Sequence, residues 1–300
     1  MEAFVTHRAN HRIMQHSSAP DPPLRDFLPG SQIEIINADL VRGRVRSVLF
    51  DFDGTLSLIR EGWQQVMVPM MVEILLDLKT GESEDALTAV VTDYVDRLTG
   101  KQTIYQMIEL AEQVKQRGGE PRDPLEYKHM YLERLWQRIE GRVAALKSGE
   151  TDPDDMLVAG SRGLLTALQE RGVTMYLASG TDEPYVLDEA RALHVDGFFG
   201  EHIYGALDDY KRFSKAMIIN RIIETHHLSG PEFLAFGDGY VEIENTKDVG
   251  GIAVGVATDE VHREGVDHWK RTRLIGAGAD VIIPEFREHN RLIPYLFGED

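Results

Sequence analysis

The chain of 300 residues contains no cysteine. Its sequence therefore excludes a disulfide framework, a thiolate zinc site and a cysteine nucleophile. There is also no run of about 18 uncharged apolar residues, the length that indicates a membrane-spanning helix. Residues 1–15 mix arginine and histidine with apolar residues and lack the apolar region of a secretory signal. These absences are typical of a cytoplasmic protein that does not enter a membrane.

Basic residues are also scarce. The chain has 32 lysines and arginines against 50 aspartates and glutamates, which gives a formal net charge of −18. A surface of this sign repels nucleic-acid phosphates and anionic lipid headgroups, so we expect neither as a partner. A small phosphorylated substrate stays compatible with the charge, because a bound divalent cation reverses the field locally.

Sequence patterns divide the chain into three parts. Residues 1–31 are weakly patterned and rich in turn-forming residues, which predicts a partly flexible N-terminal extension. Residues 59–151 carry helical periodicity interrupted by glycines, which predicts an all-α insert. Residues 32–58 and 152–300 alternate strand and helix patterns. The predicted fold class is therefore α/β, a doubly wound parallel-sheet core with an inserted all-α domain.

The first candidate motif follows the predicted strand Arg44–Phe50. It reads Asp51-Phe52-Asp53-Gly54-Thr55 and places two carboxylates on one tight turn. Neighbouring carboxylates repel each other, and a hard cation such as Mg²⁺ removes that repulsion. A helix cap or an Asx turn is the structural alternative for the same residues.

Two further predicted strands are followed by groups that can bind an anion. Ser179 and Gly180 come after strand Val173–Ala178, where a hydroxyl and free amides can hold a phosphate at the start of a helix. The same residues are also ordinary helix-cap chemistry. Lys211 and Lys215 come after the short predicted strand His202–Tyr204, where they precede or open the following helix, and either can neutralise phosphate charge.

A second acidic pair, Asp238 and Glu242, follows the predicted strand Phe233–Phe236. Asp238 lies at the strand end, where it can ligate a metal directly. Glu242 lies one helical turn further on, where it can support the same ion through water or as a second-shell group. Because parallel strands end at one edge of the sheet, all four groups are expected to meet there. Such a set suits phosphoryl transfer, in which cations neutralise charge and one carboxylate attacks in line.

In order and spacing these groups resemble the motifs of the haloacid dehalogenase superfamily. The residues similar to its four motifs are, in order, Asp51 to Thr55, Ser179, Lys211 (or, less well, Lys215), and Gly237-Asp238 with Glu242. The resemblance extends from about residue 44 to the C-terminus. It implies a Rossmann-like core, and the helical insert resembles the family's C1-type cap.

The resemblance also implies a role for each matched residue. Asp51 is expected to be the nucleophile and a Mg²⁺ ligand, and Asp53 the acid and base whose backbone carbonyl contacts the metal. Asp238 is expected to complete the protein ligands, with Glu242 beside it as a first- or second-shell group. The expected phosphate-binding residues are Thr55, Ser179, Gly180 and Lys211. Two positions depart from the commoner pattern, because Glu242 stands in place of aspartate and Gly180 in place of asparagine.

The expected activity is Mg²⁺-dependent hydrolysis of a phosphomonoester in a small metabolite, such as a sugar phosphate, through an aspartyl phosphate. Asp53 favours phosphate esters, since a dehalogenase needs no acid to protonate a leaving alkoxide. One alternative is a sugar phosphomutase resembling β-phosphoglucomutase, and another is a non-catalytic interaction protein. The candidates to face the leaving group are Arg60, Glu61, Trp63 and Lys101-Gln102-Thr103. The sequence leaves the oligomeric state open.

Overall fold

A computed structural model describes residues 26–207 and 214–299. Within these residues one sheet has seven strands, in the order β1-β7-β6-β5-β2-β3-β4. The strands are β1 Glu34–Ile35, β2 Ser47–Phe50, β3 Thr174–Asp182, β4 Ile203–Ala206, β5 Phe233–Gly237, β6 Ile252–Val256 and β7 Val281–Ile283. Every neighbouring pair is parallel except β1 with β7 at the edge.

Strand β2 lies inside the sheet, between β5 and β3, and is buried along its whole length. Val48 and Phe50 belong to one apolar cluster, and Leu49 belongs to another. This alternation arises because successive side chains of a strand point to opposite faces, both of which are covered by helices. Phe50 pairs in register with Leu177 of β3 and with Phe236 of β5. The residues that follow these three positions therefore meet at the carboxyl edge of the sheet.

Among the described residues, five α-helices lie between β2 and β3, four of them in the insert, and six follow β3. The inserted helices are α1 Gln64–Leu76, α2 Glu84–Leu98, α3 Thr103–Gln116 and α4 Pro124–Ser148. The others are α5 Ser161–Glu170, α6 Glu183–Ala192, α7 Asp196–Phe199, α8 Lys215–His226, α9 Tyr240–Asp248, α10 His268–Gly276 and α11 His289–Phe297. None of the helices in the described ranges combines the length and the apolar character that a membrane crossing requires.

The inserted helices α1–α4 form a cap whose apolar interior is continuous with the apolar cluster on one face of the sheet. Met67, Met70 and Met71 of α1 are fully buried, and the Tyr94 hydroxyl of α2 contacts the Met71 sulfur at 3.1 Å. Local signals set the helix ends: the Ser83 side chain, for example, accepts a hydrogen bond from the Ala86 N–H at the start of α2. The predicted α/β core with an inserted helical cap is confirmed. The predicted bounds of the cap stay a prediction.

Polar contacts hold the cap over the carboxyl edge of the sheet. Lys128 of α4 is buried and donates to Asp182, at the end of β3, over 2.5 Å. Arg273 of α10 donates to the Asp96 carbonyl and, at 3.4 Å, to the Thr99 carbonyl just beyond α2. The cap is thereby bound to two separate elements of the core.

Two local predictions differ from the structure. Strand β3 continues to Asp182 instead of ending at Ala178, because its last residue pairs with Ala206 of β4 beyond a register shift. Helix α10 was not predicted at all, although the Asp267 side chain caps it by accepting from the Lys270 N–H. Its core-facing pattern is weak, since only Arg271 and Leu274 of its nine residues are buried.

Candidate active site

Three neighbouring strand ends bring the candidate residues together. Asp51 follows β2, and its N–H donates to the Phe236 carbonyl of β5 over 2.9 Å. Ser179 lies within β3, and Asp238 follows β5 directly. The arrangement follows from strand order, because β2 lies between β3 and β5. One edge of the sheet therefore carries groups from three of the four motifs.

Asp51, Asp238 and Glu242 form a carboxylate cluster in which one ligand atom from each residue lies within 4.8 Å of the others. Burial raises the pKa of Asp51 well above its usual range; Lys215 opposes the rise, and the charges of Glu242 and Asp238 add to it. Three hard oxygen donors that repel one another in a buried position suit a divalent cation such as Mg²⁺. The donor set therefore fits the metal that the motifs imply.

Lys215 occupies the cationic position beside this cluster. It begins α8, is almost fully buried, and places its Nζ 2.8 Å from Asp51 Oδ1 and 3.0 Å from Glu242 Oε2. Burial acts to lower the pKa of Lys215, but the charges of Asp51 and Glu242 raise it above its usual range. Lys211, the residue favoured from spacing for this position, lies outside the described residues.

Glu242 has no exposed surface and has partners at both carboxylate oxygens. Its Oε1 accepts from the Gly239 N–H over 2.9 Å in the first turn of α9, and its Oε2 accepts from Lys215. These bonds hold the glutamate against the cluster despite its extra methylene group. Direct or water-mediated ligation by Glu242 stays a prediction.

Asp53 faces a different set of partners. Its Oδ2 accepts from the Ser179 hydroxyl over 3.1 Å and from the Thr181 hydroxyl over 2.8 Å. Its Oδ1 is buried, has no hydrogen-bond partner among the described residues, and lies 3.7 Å from Arg60 Nε. The side chain of Asp53 is thus separate from the carboxylate cluster, which leaves only its backbone carbonyl for the expected metal contact.

Arg60 is itself held by a second buried acid. Its Nε lies 3.1 Å from both oxygens of Glu189, and its Nη2 lies 2.6 Å from Glu189 Oε1. Burial raises the pKa of Glu189, while Arg60 opposes the rise. Because Glu189 belongs to α6 of the core and Arg60 precedes α1, the pair fixes the chain where it enters the cap.

Thr55 joins the first motif to the fourth. Its hydroxyl accepts from the Asp238 N–H over 2.9 Å and lies 3.4 Å from Asp238 Oδ1, and the residue is fully buried. Gly54 has a φ of +76°, and a Cβ there would lie 2.3 Å from Asp238 Oδ2. Only glycine fits this turn, because it allows both the left-handed backbone and the close approach.

A cavity between core and cap contains these groups. Its core lining includes Asp51, Asp53, Ser179, Gly180, Lys215 and Asp238, and its other lining includes Arg60, Trp63, Lys101, Thr103, Gln106 and Tyr131. Glu61 lines an adjoining cleft instead. A Cβ at Gly180 would lie 3.1 Å from the Lys101 carbonyl, so the backbone of the insert packs tightly against the core where the sequence has glycine.

Four further residues around the site were not identified from the sequence: Thr181, Glu189, Glu260 and Lys270. Thr181 was visible as part of the Ser-Gly-Thr run, but its bond to Asp53 depends on the unexpected continuation of β3. Glu189 is separated from Arg60 by 129 positions, and no local pattern joins them. Lys270 lies on the helix that was not predicted, and the loop before that helix carries Glu260.

Solved structures share this fold at low sequence identity. β-Phosphoglucomutase from Clostridium difficile has a TM-score of 0.57 at 12% identity over 85% of this chain and 98% of that chain. A haloacid dehalogenase-like family protein from Streptococcus pneumoniae has 0.54 at 17% over 84% and 98%. A predicted phosphoglycolate phosphatase from Haemophilus somnus has 0.53 at 16% over 83% and 98%.

Comparison at the level of sequence gives the family. No curated protein sequence matches the chain. The family model described as haloacid dehalogenase-like hydrolase matches residues 45–250, more than half of the chain. That range includes the motif after β2, the helical cap and the acidic pair after β5. The resemblance found in the sequence is confirmed, and the chain belongs to the haloacid dehalogenase-like hydrolases.

Proposed function

We propose that this hydrolase is a Mg²⁺-dependent phosphomonoester phosphatase with Asp51 as its nucleophile. The observation that carries the proposal is the position of Asp51. Its carboxylate lies in a cluster with Asp238 and Glu242, beside the Lys215 ammonium, and it lines a cavity that Asp53 also lines. A carboxylate so placed can attack a phosphate whose negative charge is balanced by neighbouring cations.

The proposed reaction has two steps at one phosphorus atom. An oxygen of Asp51 forms a bond to phosphorus while the bond to the leaving oxygen breaks, and Asp53 gives that oxygen a proton. Asp53 then takes a proton from water, which attacks phosphorus, releases inorganic phosphate and restores the Asp51 carboxylate. Bound Mg²⁺ would supply neutralisation of the phosphate charge, and Asp51, Asp238 and Glu242 would hold it.

The surroundings of the two aspartates support this division of roles. Asp51 is enclosed and faces a fixed ammonium group, as a nucleophile for a dianionic phosphate requires. Asp53 has a side chain that is 25% exposed and is aimed by two hydroxyls, so it can exchange protons with a leaving group and with water. Ser179 and Lys215 are the proposed contacts of the phosphoryl oxygens.

The proposed substrate is a small phosphorylated metabolite, with a sugar phosphate as the first candidate. The cap contributes polar and aromatic groups to the cavity, including Arg60, Trp63, Thr103 and Gln106. Such groups suit a compact polar leaving group rather than a polymer, and the net charge of −18 disfavours nucleic acid. The cytoplasmic location stays a prediction.

A screen of phosphorylated metabolites for released inorganic phosphate, with Mg²⁺ and with a chelator, tests this function. We expect release that stops on chelation and returns when Mg²⁺ is restored. Isomerisation of a sugar phosphate without phosphate release would identify a mutase instead. The proposal would be refuted if no substrate is turned over and no covalent phosphate forms on Asp51 after exposure to an aryl phosphate.

A further inference from the structure

A second, largely buried lysine, Lys270, contacts Asp238 of the carboxylate cluster. Its Nζ lies 2.8 Å from Asp238 Oδ2 and 2.6 Å from Glu260 Oε1. The side chains of these three residues are between 12% and 18% exposed. Neither Lys270 nor Glu260 belongs to the four motifs, and the proposed reaction gives them no role.

The two acids are also packed against the nucleophile loop. A Cβ at Gly54 would lie 2.3 Å from Asp238 Oδ2 and 2.9 Å from Glu260 Oε1. Lys270 therefore bonds to two carboxylates that already touch one turn of backbone. Because Thr55 contacts Asp238 Oδ1 while Lys270 contacts Oδ2, both oxygens of the ligand residue are oriented.

The arrangement repeats the one around Asp51. Lys215 bridges Asp51 and Glu242, and Lys270 bridges Asp238 and Glu260 in the same way. In each case a buried ammonium joins one aspartate of the cluster to one glutamate. A lysine bound to a single carboxylate is free to swing on its long side chain, whereas two anchors hold its donors in place.

We propose that Lys270 is a positioning residue that orients Asp238 for a divalent cation, and that Glu260 holds Lys270 in place. The inference rests on the proposed function, since it concerns the same metal site. Groups that orient a metal ligand typically change metal affinity or activity by about 10- to 100-fold when removed.

Orientation and simple electrostatics predict opposite results here. Removal of a positive charge near a cation site strengthens cation binding if charge alone matters. Removal of an orienting donor weakens it, because Asp238 loses its fixed direction. The sign of the change in affinity for K270M therefore decides between the two explanations.

The experiment is a titration of the protein, without substrate, with Mn²⁺. The electron paramagnetic resonance signal of the free ion measures how much Mn²⁺ stays unbound. Mn²⁺ serves as the probe because it accepts the same oxygen ligands as Mg²⁺. We expect K270M to bind Mn²⁺ about 10- to 100-fold more weakly than the unaltered protein. K247M is the matched control: Lys247 also bonds to a buried acid, Asp280, but that acid lies outside the carboxylate cluster. We expect its Mn²⁺ affinity to be unchanged.

A second pair of variants keeps the test valid if K270M does not fold. E260Q retains an acceptor for Lys270, whereas E260A removes it, and both remove the same charge. Orientation predicts weaker Mn²⁺ binding by E260A than by E260Q. Equal binding by those two variants, or unchanged or tighter binding by K270M, would overturn the inference and leave the phosphatase proposal intact. Failure of the unaltered protein to bind Mn²⁺ would overturn the metal site itself, and the inference with it.

Discussion

The candidate active site has two sides. The metal side consists of Asp51, Asp238 and Glu242 with Lys215 and Lys270. The acid–base side consists of Asp53 with Ser179, Thr181 and Arg60. On the metal side, the side chains of Asp51 and Glu242 are 8% and 0% exposed. On the acid–base side, Asp53 is 25% exposed and one of its oxygens has no hydrogen-bond partner in the described part of the chain. The two sides therefore differ in how completely their charges are enclosed.

This difference follows from where each side obtains its residues. The metal side is built from strand ends and helix starts of the core. The acid–base side also needs Arg60, which lies at the entrance to the cap. The acids of the metal side therefore all come from the core, whereas the surroundings of Asp53 also include a residue at the entrance to the cap.

The largest expected effect comes from D51N on the metal side. An amide cannot form the aspartyl phosphate, so we expect kcat to fall by at least about 10⁴-fold, within the range seen when a catalytic nucleophile is removed. Phosphate release measures the loss, and circular dichroism checks that the fold is kept. Retained turnover would refute covalent catalysis by this residue.

The acid–base side is tested by D53N, for which we expect kcat to fall about 10²- to 10⁴-fold. Asp51 remains able to attack an aryl phosphate, whose leaving group needs little protonation, but water is no longer activated. Phosphorylated protein should then accumulate and be visible by mass spectrometry. If D53N and D51N both lack the covalent adduct, the two sides do not have the separate roles proposed.

A smaller effect is expected from R60M, which leaves the metal side unaltered. Loss of the guanidinium 3.7 Å from Asp53 Oδ1 removes a fixed neighbour of the acid–base group, and we expect kcat/KM to fall about 10- to 100-fold. Mn²⁺ affinity should not change, in contrast to K270M. The double variant R60M/E189M controls for the buried charge that R60M leaves unpaired. A change in Mn²⁺ affinity would show that the sides are not independent.

The smallest effect concerns stability and pH. Burial raises the pKa of Asp51 in the folded protein. At pH values between the pKa of the unfolded chain and this raised pKa, the folded protein therefore holds more protons than the unfolded chain. The free energy of unfolding of the metal-free protein therefore falls as pH rises through that window. Mg²⁺ binds the ionised cluster, so we expect it to raise Tm more at about pH 8 than at about pH 5. Thermal unfolding with Mg²⁺ and with chelator measures this, and D51N should reduce the difference.

The sequence was most informative where local patterns determine structure. The predicted strands Arg44–Phe50 and Phe233–Phe236 overlap β2 and β5, because apolar runs that end at turn residues mark them directly. The carboxylates at positions 51 and 238 could be placed together because they end strands of one parallel sheet.

The remaining features depend on tertiary contacts that leave no local pattern. Spacing favoured Lys211, which lies outside the described residues, while Lys215 at the start of α8 places its Nζ 2.8 Å from Asp51. Arg60 and Glu189 pair across 129 positions, and Lys270 and Asp238 across 32. Such partners are chosen by the packing of helices against the sheet, which a single sequence does not reveal.

Helix α10 has a mechanical consequence. Lys270 and Arg273 lie one turn apart on it, the first bonded to Asp238 and the second to the carbonyls that end cap helix α2. The helix therefore connects the proposed metal ligand Asp238 to the end of cap helix α2. We expect a displacement of the cap that breaks the Arg273 bonds to weaken the contact of Lys270 with Asp238. Binding of the ion and closure of the cap should therefore favour each other.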